Sequence, residues 1–459
     1  MENMDFEERR DELFQLLEGR QIKRLRQTLD EMNEFDVAEF LTELEPTQMA
    51  MVFRMLSKEQ AAEVFANLEV DEQEHIINSI TDTELGNIIE ELYVDDAVDM
   101  MEELPANVVK RVMRTATPAT RNLINQFLKY PDNSAGSIMT AEYVDLKKYM
   151  NVKESIARIR RIGEDKETIY TCFVTAADRK LEGIVSVKDL LLSDDEAVIE
   201  SIMDTNVICA KTTDDQEEVS ALISDYDMLA VPVVDTEGRL VGIVTVDDVI
   251  DVIEQEATED MEKMAAILPS DHPYMKTGVL DIWKKRIPWL LLLMISATFT
   301  GMIITAFEQA LAAQVALVAF IPMLMDTGGN TGSQASVTII RSLSLGDVEF
   351  SDILRVIWKE IRVAVLCGAT LAVVGFVKII LVDKMLLGNA NITISVAAVV
   401  CLTLAITVLC AKLVGCTLPM FAQKLGFDPA VMASPFITTI VDAVALLVYF
   451  AIANLLLGV

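Results

Sequence analysis

The chain has 459 residues, 52% of them hydrophobic, with 38 Lys and Arg against 71 Asp and Glu for a net charge of −33. So acidic a surface excludes a nucleic-acid partner, and so much apolar sequence beside so much charge does not fit one soluble globule. The two properties separate along the chain: residues 281–459 carry 11 Lys and Arg against 10 Asp and Glu, so residues 1–280 hold a net −34.

Residues 1–20 are mostly charged and lack an apolar core, so no cleavable leader is expected there. From residue 32 to 116 a short period runs through Leu44, Leu56, Leu68, Ile80, Leu92 and Leu104, at intervals of 12, each followed by a polar turn such as "EPT", "SKEQ" or "TDTE". Helices of about two turns, too short to be stable alone, explain this if they stack as a solenoid with a continuous apolar face inside and the acids outside. An ordinary helical bundle is the alternative.

A longer repeat follows Pro131. "SIMT" (137–140) recurs as "SIMD" (201–204), and "KLEGIVSVKDLL" (180–191) recurs as "RLVGIVTVDDVI" (239–250), each of the latter preceded by a β-rich stretch. Two tandem βαββα units are predicted. Ser186 and Thr245 stand three residues before Asp189 and Asp248, which fits a capping box at a helix start. A nucleotide site with Asp189 on a ribose is the functional alternative. The paired units resemble cystathionine-β-synthase (CBS) domains, which form pairs and often bind adenosine nucleotides, so ATP is a candidate ligand.

The stretch "DDVIDVIEQEATEDMEKMAAI" (247–267) reads as a helix joining the CBS pair to the apolar half. Its acids Asp248, Asp251, Glu256, Glu259 and Asp260 recur at three- and four-residue steps, so several share a face and repel. A solvated acidic face explains such a run in an ordinary protein. Here, however, the solenoid adds Glu63, Asp95 and Asp99, and the second CBS unit adds Asp215, Glu217 and Asp227. Pressing these surfaces together costs ~1–4 kcal/mol per close pair unless cations intervene. Oxygen-seeking divalent ions are the natural neutralisers.

Residues beyond 280 read as five apolar spans, roughly 287–307, 312–340, 360–382, 393–422 and 429–457, each able to cover ~30 Å of hydrocarbon. Lys284, Lys285 and Arg286 precede the first, Arg341, Arg355, Lys359 and Arg362 flank the second connection, and Lys424 lies between the last two. This places the N-terminus in the cytoplasm and the C-terminus outside, in a multi-pass protein of the cytoplasmic membrane in contact with lipid.

The last span carries Asp442, and a carboxylate at that depth costs about 2.5–3.5 kcal/mol on insertion scales unless it meets a partner or water. Pro435, Thr438, Thr439 and Asp442 fall at i, i+3, i+4 and i+7, a polar stripe that begins beside Ser434. In the second span Asp326, Asn330, Gln334 and Thr338 follow a four-residue period, while Gly328, Gly329 and Gly332 permit close helix approach. Lys412 is a lone basic residue in the fourth span. One Asp with hydroxyls and amides suits a hydrated divalent ion held through its waters, the more so if a two-fold dimer pairs two copies of Asp442. A single hydrogen-bonded structural acid is the plainer alternative.

Six cysteines without a CxxC pair (Cys172, Cys209, Cys367, Cys401, Cys410 and Cys416) and two histidines (His75 and His272) argue against zinc or thiol chemistry. Nothing assembles a nucleophile, a base and an orienting group, so no enzyme is predicted.

End to end the chain resembles the MgtE family of magnesium channels. The match includes the acidic N domain, the CBS pair, "VIEQEATED" of a connecting or plug helix, "GGNTGSQ" in the second span and "PFITTIVDAV" in the fifth. The resemblance implies a Mg²⁺ channel that is a homodimer, with Asp442 as pore acid and the cytoplasmic acids holding the Mg²⁺ that closes it. It also implies an all-α superhelical N domain (1–131), an α/β tandem CBS pair (132–250), a plug helix (251–277) and a five-helix pore domain (278–459). A proton-coupled secondary transporter and a membrane-anchored ion sensor that moves nothing are the rival readings.

Overall fold

The computed structural model describes residues 6–270, 274–275, 277–389, 391–432 and 434–458, with the side chains of 6–8 and 434 excepted. Two compact units, residues 1–254 and 255–459, are taken in turn.

The first unit opens with ten helices: α1 (Phe6–Glu18), α2 (Ile22–Asp30), α3 (Glu34–Thr42), α4 (Pro46–Phe53), α5 (Lys58–Ala66), α6 (Val70–Ser79), α7 (Asp82–Glu91), α8 (Val94–Glu103), α9 (Ala106–Thr115) and α10 (Pro118–Phe127). From α3 onward each helix begins 12 residues after the last. The apolar member of the period stands one residue before the cap, where Met32, Leu44, Leu56, Leu68, Ile80 and Leu104 are buried and Leu92 partly so. That is the hydrophobic-staple position, which fixes the angle at which the chain enters the next helix. Asn33, Ser57, Thr81 and Thr117 supply side-chain caps to α3, α5, α7 and α10. Alternate helices stack, α3 on α5, α5 on α7 and α7 on α9, with α4 on α6 and α8 on α10. This is a solenoid rather than a bundle.

Next come β1 (Tyr143–Leu146), α11 (Val152–Ile162), β2 (Thr168–Thr175), β3 (Leu181–Ser186) and α12 (Val187–Leu192), then α13 (Ile199–Ile202). The second copy is β4 (Ala210–Lys211), α14 (Gln216–Asp225), β5 (Ala230–Val234), β6 (Leu240–Thr245) and α15 (Val246–Met264). Both sheets pair the first strand parallel to the second and the second antiparallel to the third. The "SIM" leaders are exchanged: Thr140 pairs with Ile243 of the other unit and Asp204 with Ile184. A Cβ on Gly183 would stand 2.9 Å from the Asp204 carbonyl, and one on Gly242 2.7 Å from that of Thr140. The recurrence of "SIM" and "GIV" therefore has one cause, a backbone crossing that only glycine admits.

The second unit holds α16 (Val279–Ala306), α17 (Glu308–Ala313), α18 (Ile321–Ser344), α19 (Ile353–Lys378), α20 (Ile394–Lys424) and α21 (Ser434–Leu457). Four stretches, Val279–Ala306, Phe350–Leu386, Ile394–Lys424 and Pro429–Leu457, are long and apolar enough to cross a membrane. The second expected span differs in two ways. Its first part, 312–320, is the end of α17 and a 3-10 turn at Val315–Phe320, and α18 itself carries too many glycines and polar groups to rank with the other four. Helix α18 packs on α20 and α21. Its crossing with α20 is so close that a Cβ on Gly415 would run into the Gly332 carbonyl oxygen.

Candidate functional site

In the membrane-type unit the apolar side of α18 faces inward and its polar side outward. Gly328, Gly329 and Gly332 are buried against Thr407, Val441, Thr438 and Ile437, whereas Asp326, Asn330, Gln334 and Thr338 are all exposed on the opposite side. An exposed acid and two amides along a helix that runs beside apolar spans have no place against lipid. Asn330 Nδ2 donates to Asp326 Oδ1 at 3.2 Å, and Thr338 Oγ1 donates back to the Gln334 carbonyl at 2.9 Å.

On α21, Pro435, Thr438, Thr439 and Asp442 are half-buried, and Thr439 Oγ1 donates to the Pro435 carbonyl at 3.0 Å. The side chain of Ser434 lies outside the described residues. Asp442 Oδ1 is enclosed yet accepts no hydrogen bond from the described residues. Asp326 stands two residues before Gly328, which packs on Val441, the neighbour of Asp442. A plain structural acid would be hydrogen-bonded, because a buried acceptor left unmade costs about 1–3 kcal/mol.

Sequence reasoning missed a further acid beside Asp326 and Asp442, Glu360 of α19. Its Oε2 lies 3.2 Å from Lys412 Nζ, and both side chains are nearly buried. Lys412 is thus no exception but the counter-charge of Glu360. Among the described residues neither Asp326 nor Asp442 has an ion-pair partner.

In the cytoplasmic-type unit the structure gathers some predicted acids and scatters others. Asp95 and Asp99 of α8 lie in a mutually repelling group with Asp248 at the head of α15, and Asp96, Glu142 and Glu167 belong to it as well. Burial first, and like charge second, holds Asp95 well above the usual carboxylate range, and Asp95 Oδ1 has no partner. The same causes raise Asp96 to about 6 and Glu167 to about 7. Asp248 is lifted by burial to about 6 even though Thr245 Oγ1 donates to it at 2.6 Å. Asp99 is pushed up by burial and by Asp96, while water at its exposed edge screens part of that repulsion. Glu63 is exposed and lies nearer Glu34, raised by partial burial and that neighbour. The nearness of Asp96 to Asp95 in sequence was a usable signal; Glu142 and Glu167 gave none, because only the fold of the first CBS unit brings them to Asp248.

Of the remaining acids of the set, Asp251 adds its charge to the repulsion on Asp248. Asp215 caps α14 by accepting from the Glu217 amide at 2.9 Å, and Asp227 is exposed in a left-handed turn at φ 51°. Asp251 is exposed one turn from Asp248, and Glu256 is half-buried. Glu259 and Asp260, in the second unit, meet residues that the sequence did not single out. Lys263 Nζ lies 2.6 Å from both Glu259 and Asp428, and Ser344 Oγ donates to Asp260 at 3.2 Å. Burial opposes the charge on Lys263, but its hydrogen bonds to Asp428 and Glu259 outweigh it and hold the ammonium above its usual range. Asp260 is raised by burial and by Asp428. Among the described residues no three carboxylates converge closely enough to hold a metal ion as they stand.

Asp189 does what the capping reading requires: Ser186 Oγ accepts from its amide at 3.0 Å while its carboxylate accepts from Ser186. His75 Nε2 donates to the Pro46 carbonyl, 3.0 Å away, as a solenoid contact, and His272 lies outside the described residues.

Comparison with known proteins agrees with this architecture. A profile described as "Divalent cation transporter" matches residues 321–452, one for the "MgtE intracellular N domain" matches 32–133, and one for the CBS domain matches 199–255. The "Magnesium transporter MgtE" of Bacillus subtilis is 33% identical over 99% of this chain and 98% of its own length. The chain belongs to the MgtE family. The Thermus thermophilus "Magnesium transporter MgtE" is 39% identical over 79% of this chain and 80% of its own. Among solved structures, the "soluble part of a magnesium transporter" superposes with a TM-score of 0.53 at 30% identity, covering 55% of this chain and all of that one. The "cytosolic domain of the Mg2+ channel MgtE in complex with ATP" does so with a TM-score of 0.50 at 37% identity, over 52% of this chain and 98% of that one. MgtE proteins are transporters and not enzymes, and the apolar helices here fit a multi-pass membrane protein.

Proposed function

We propose that this MgtE chain is a Mg²⁺-selective channel whose pore runs between two copies, lined by α18 and α21, and that cytoplasmic Mg²⁺ closes it. The observation that carries the reading is the outward polar face of α18 beside an Asp442 that lacks any ionic partner among the described residues. A second copy related by two-fold symmetry would cover that face and set two Asp442 carboxylates across one axis. Mg²⁺ gives up its water reluctantly, so a ring of carboxylate, hydroxyl and amide oxygens suits an ion that keeps most of its shell. The five-span topology, with α18 as the second span and the N-terminus inside, belongs to this reading.

Closure rests on charge. Asp95, Asp96, Asp99, Glu142, Glu167 and Asp248 are held together against their own repulsion, and divalent ions would relieve it. Helix α15 bears Asp248 in its first turn and Asp260 further along its sequence, so ions bound by either acid act on the same helix. Moving a closed fraction from 1:99 to 99:1 takes about 5.5 kcal/mol of differential binding, within reach of several weak ions. Asp251, Glu256 and Glu259 belong to the same sensor, with Glu63, Asp215, Glu217 and Asp227 at its periphery. ATP is an additional ligand of the CBS pair in this reading, because a structural relative is described in complex with it and Asp189 is exposed.

Reconstituted in liposomes, the protein should admit Mg²⁺ down its gradient with little dependence on pH, which separates a channel from a proton exchanger and from a sensor that transports nothing. Asp442→Asn should fold but lose divalent selectivity. Undiminished, selective Mg²⁺ entry in that variant defeats the reading. Neutralising Asp248, Asp251, Glu256, Glu259 and Asp260 together should leave a channel that conducts but stays open at cytoplasmic Mg²⁺ concentrations that close the wild type.

A further inference from the structure

Each acid within or at the ends of the apolar helices can be asked for its counter-charge. Glu360 has Lys412 at 3.2 Å, Asp383 has Lys378 at 2.8 Å, Asp352 has Arg355 at 2.9 Å and Asp428 has Lys263 at 2.6 Å. Among the described residues of α18, α19, α20 and α21 this leaves Asp326 and Asp442 without an ion-pair partner. They also stand near one another, because Gly328, two residues after Asp326, packs on Val441, the neighbour of Asp442. A carboxylate pair at membrane depth without a cationic partner is stable only if something else brings positive charge.

We propose that Asp326 is a second ion ligand of the permeation path, which binds the hydrated divalent cation jointly with Asn330 before it reaches Asp442. The inference rests on the pore reading given above. Its geometry is specific. Asp326 lies near the N-terminal end of α18, two residues before Gly328, which packs on Val441 beside Asp442. Four residues further along, ~6 Å down the axis at 1.5 Å per residue, stands Asn330 on the same exposed side. Asn330 Nδ2 holds one oxygen of Asp326, which leaves the other oxygen of Asp326 and the amide oxygen of Asn330 to accept from water ligands of the ion. In the proposed topology the N-terminal end of α18 is the external one, so Asp326 is met first and raises the local concentration of divalent ions at the mouth. Asp442, enclosed and unhydrogen-bonded at Oδ1, then selects.

The test measures Mg²⁺ entry into liposomes holding the full-length chain, as a function of external Mg²⁺, for the wild type, Asp326→Asn, Asp326→Glu and Asp442→Asn. Asn at 326 can still accept from Asn330, so only the charge is removed. Its half-saturating Mg²⁺ should rise about tenfold, the weight of one carboxylate on a divalent ion ~6 Å away through water, while exclusion of monovalent ions is kept. Asp326→Glu should stay near wild type. If Asp326→Asn does not reconstitute, Asp326→Ser serves the same comparison. Unchanged half-saturation in the neutral variant, or an equal loss in Asp326→Glu, overturns the assignment. In either case loss of selectivity in Asp442→Asn leaves the pore reading standing, whereas its retention sinks the pore reading itself.

Discussion

Neutralising Asp96 removes a charge that the folded first unit holds at a cost. Its carboxyl is raised from 3.8 to about 6 by burial, then by Asp248 and Glu142. Two pH units correspond to about 3 kcal/mol, and because the side chain is partly open to water we expect ~1–3 kcal/mol. The sign follows from linkage. The folded value lies above the unfolded one, so the folded state binds the proton more tightly and stability falls as pH rises from about 4 to about 6, then stays low. Asp96→Asn should therefore stabilise residues 1–254 at pH 7.5 in chelator, raising the midpoint by about 2–10 °C, and do nothing at pH 4. Saturating Mg²⁺ should shrink the difference, because ions binding the wild-type cluster offset the same repulsion. Thermal melts followed by circular dichroism at both pH values, with and without Mg²⁺, make the comparison. A variant no more stable than wild type at pH 7.5, or equally stabilised at pH 4, refutes the reasoning.

Lys412→Met should destabilise the membrane unit by about 3–5 kcal/mol, because it leaves Glu360 buried without its partner. Adding Glu360→Gln should restore most of the loss, as read by melting in detergent. Asp189→Ala should weaken ATP binding in calorimetry if the carboxylate holds a ribose; if it serves α12 alone, the same change lowers the melting midpoint by ~1 kcal/mol of cap and leaves ATP untouched.

What the sequence determined by itself was everything that repeats at short range. The 12-residue period of the solenoid, the doubled "SIM" and "GIV" motifs and the apolar helices are local patterns, and each is set by one physical requirement: a staple residue before a cap, a glycine under a crossing strand, a run of side chains long enough for hydrocarbon. The polar face of α18 and the stripe around Asp442 were legible for the same reason, since helix geometry alone puts those residues on one side. Tertiary structure decided the pairings of charge. Nothing local joins Glu360 to Lys412, Lys263 to Asp428, or Glu142 and Glu167 to Asp248, because each pair spans 50 residues or more and meets only when separate helices or strands pack. The same packing explains why Asp215 became a cap while Asp95 became a buried, unpartnered acid. An acid's neighbours in space set the cost of its charge, and that cost separates carboxylates that merely face water from those that call for a cation.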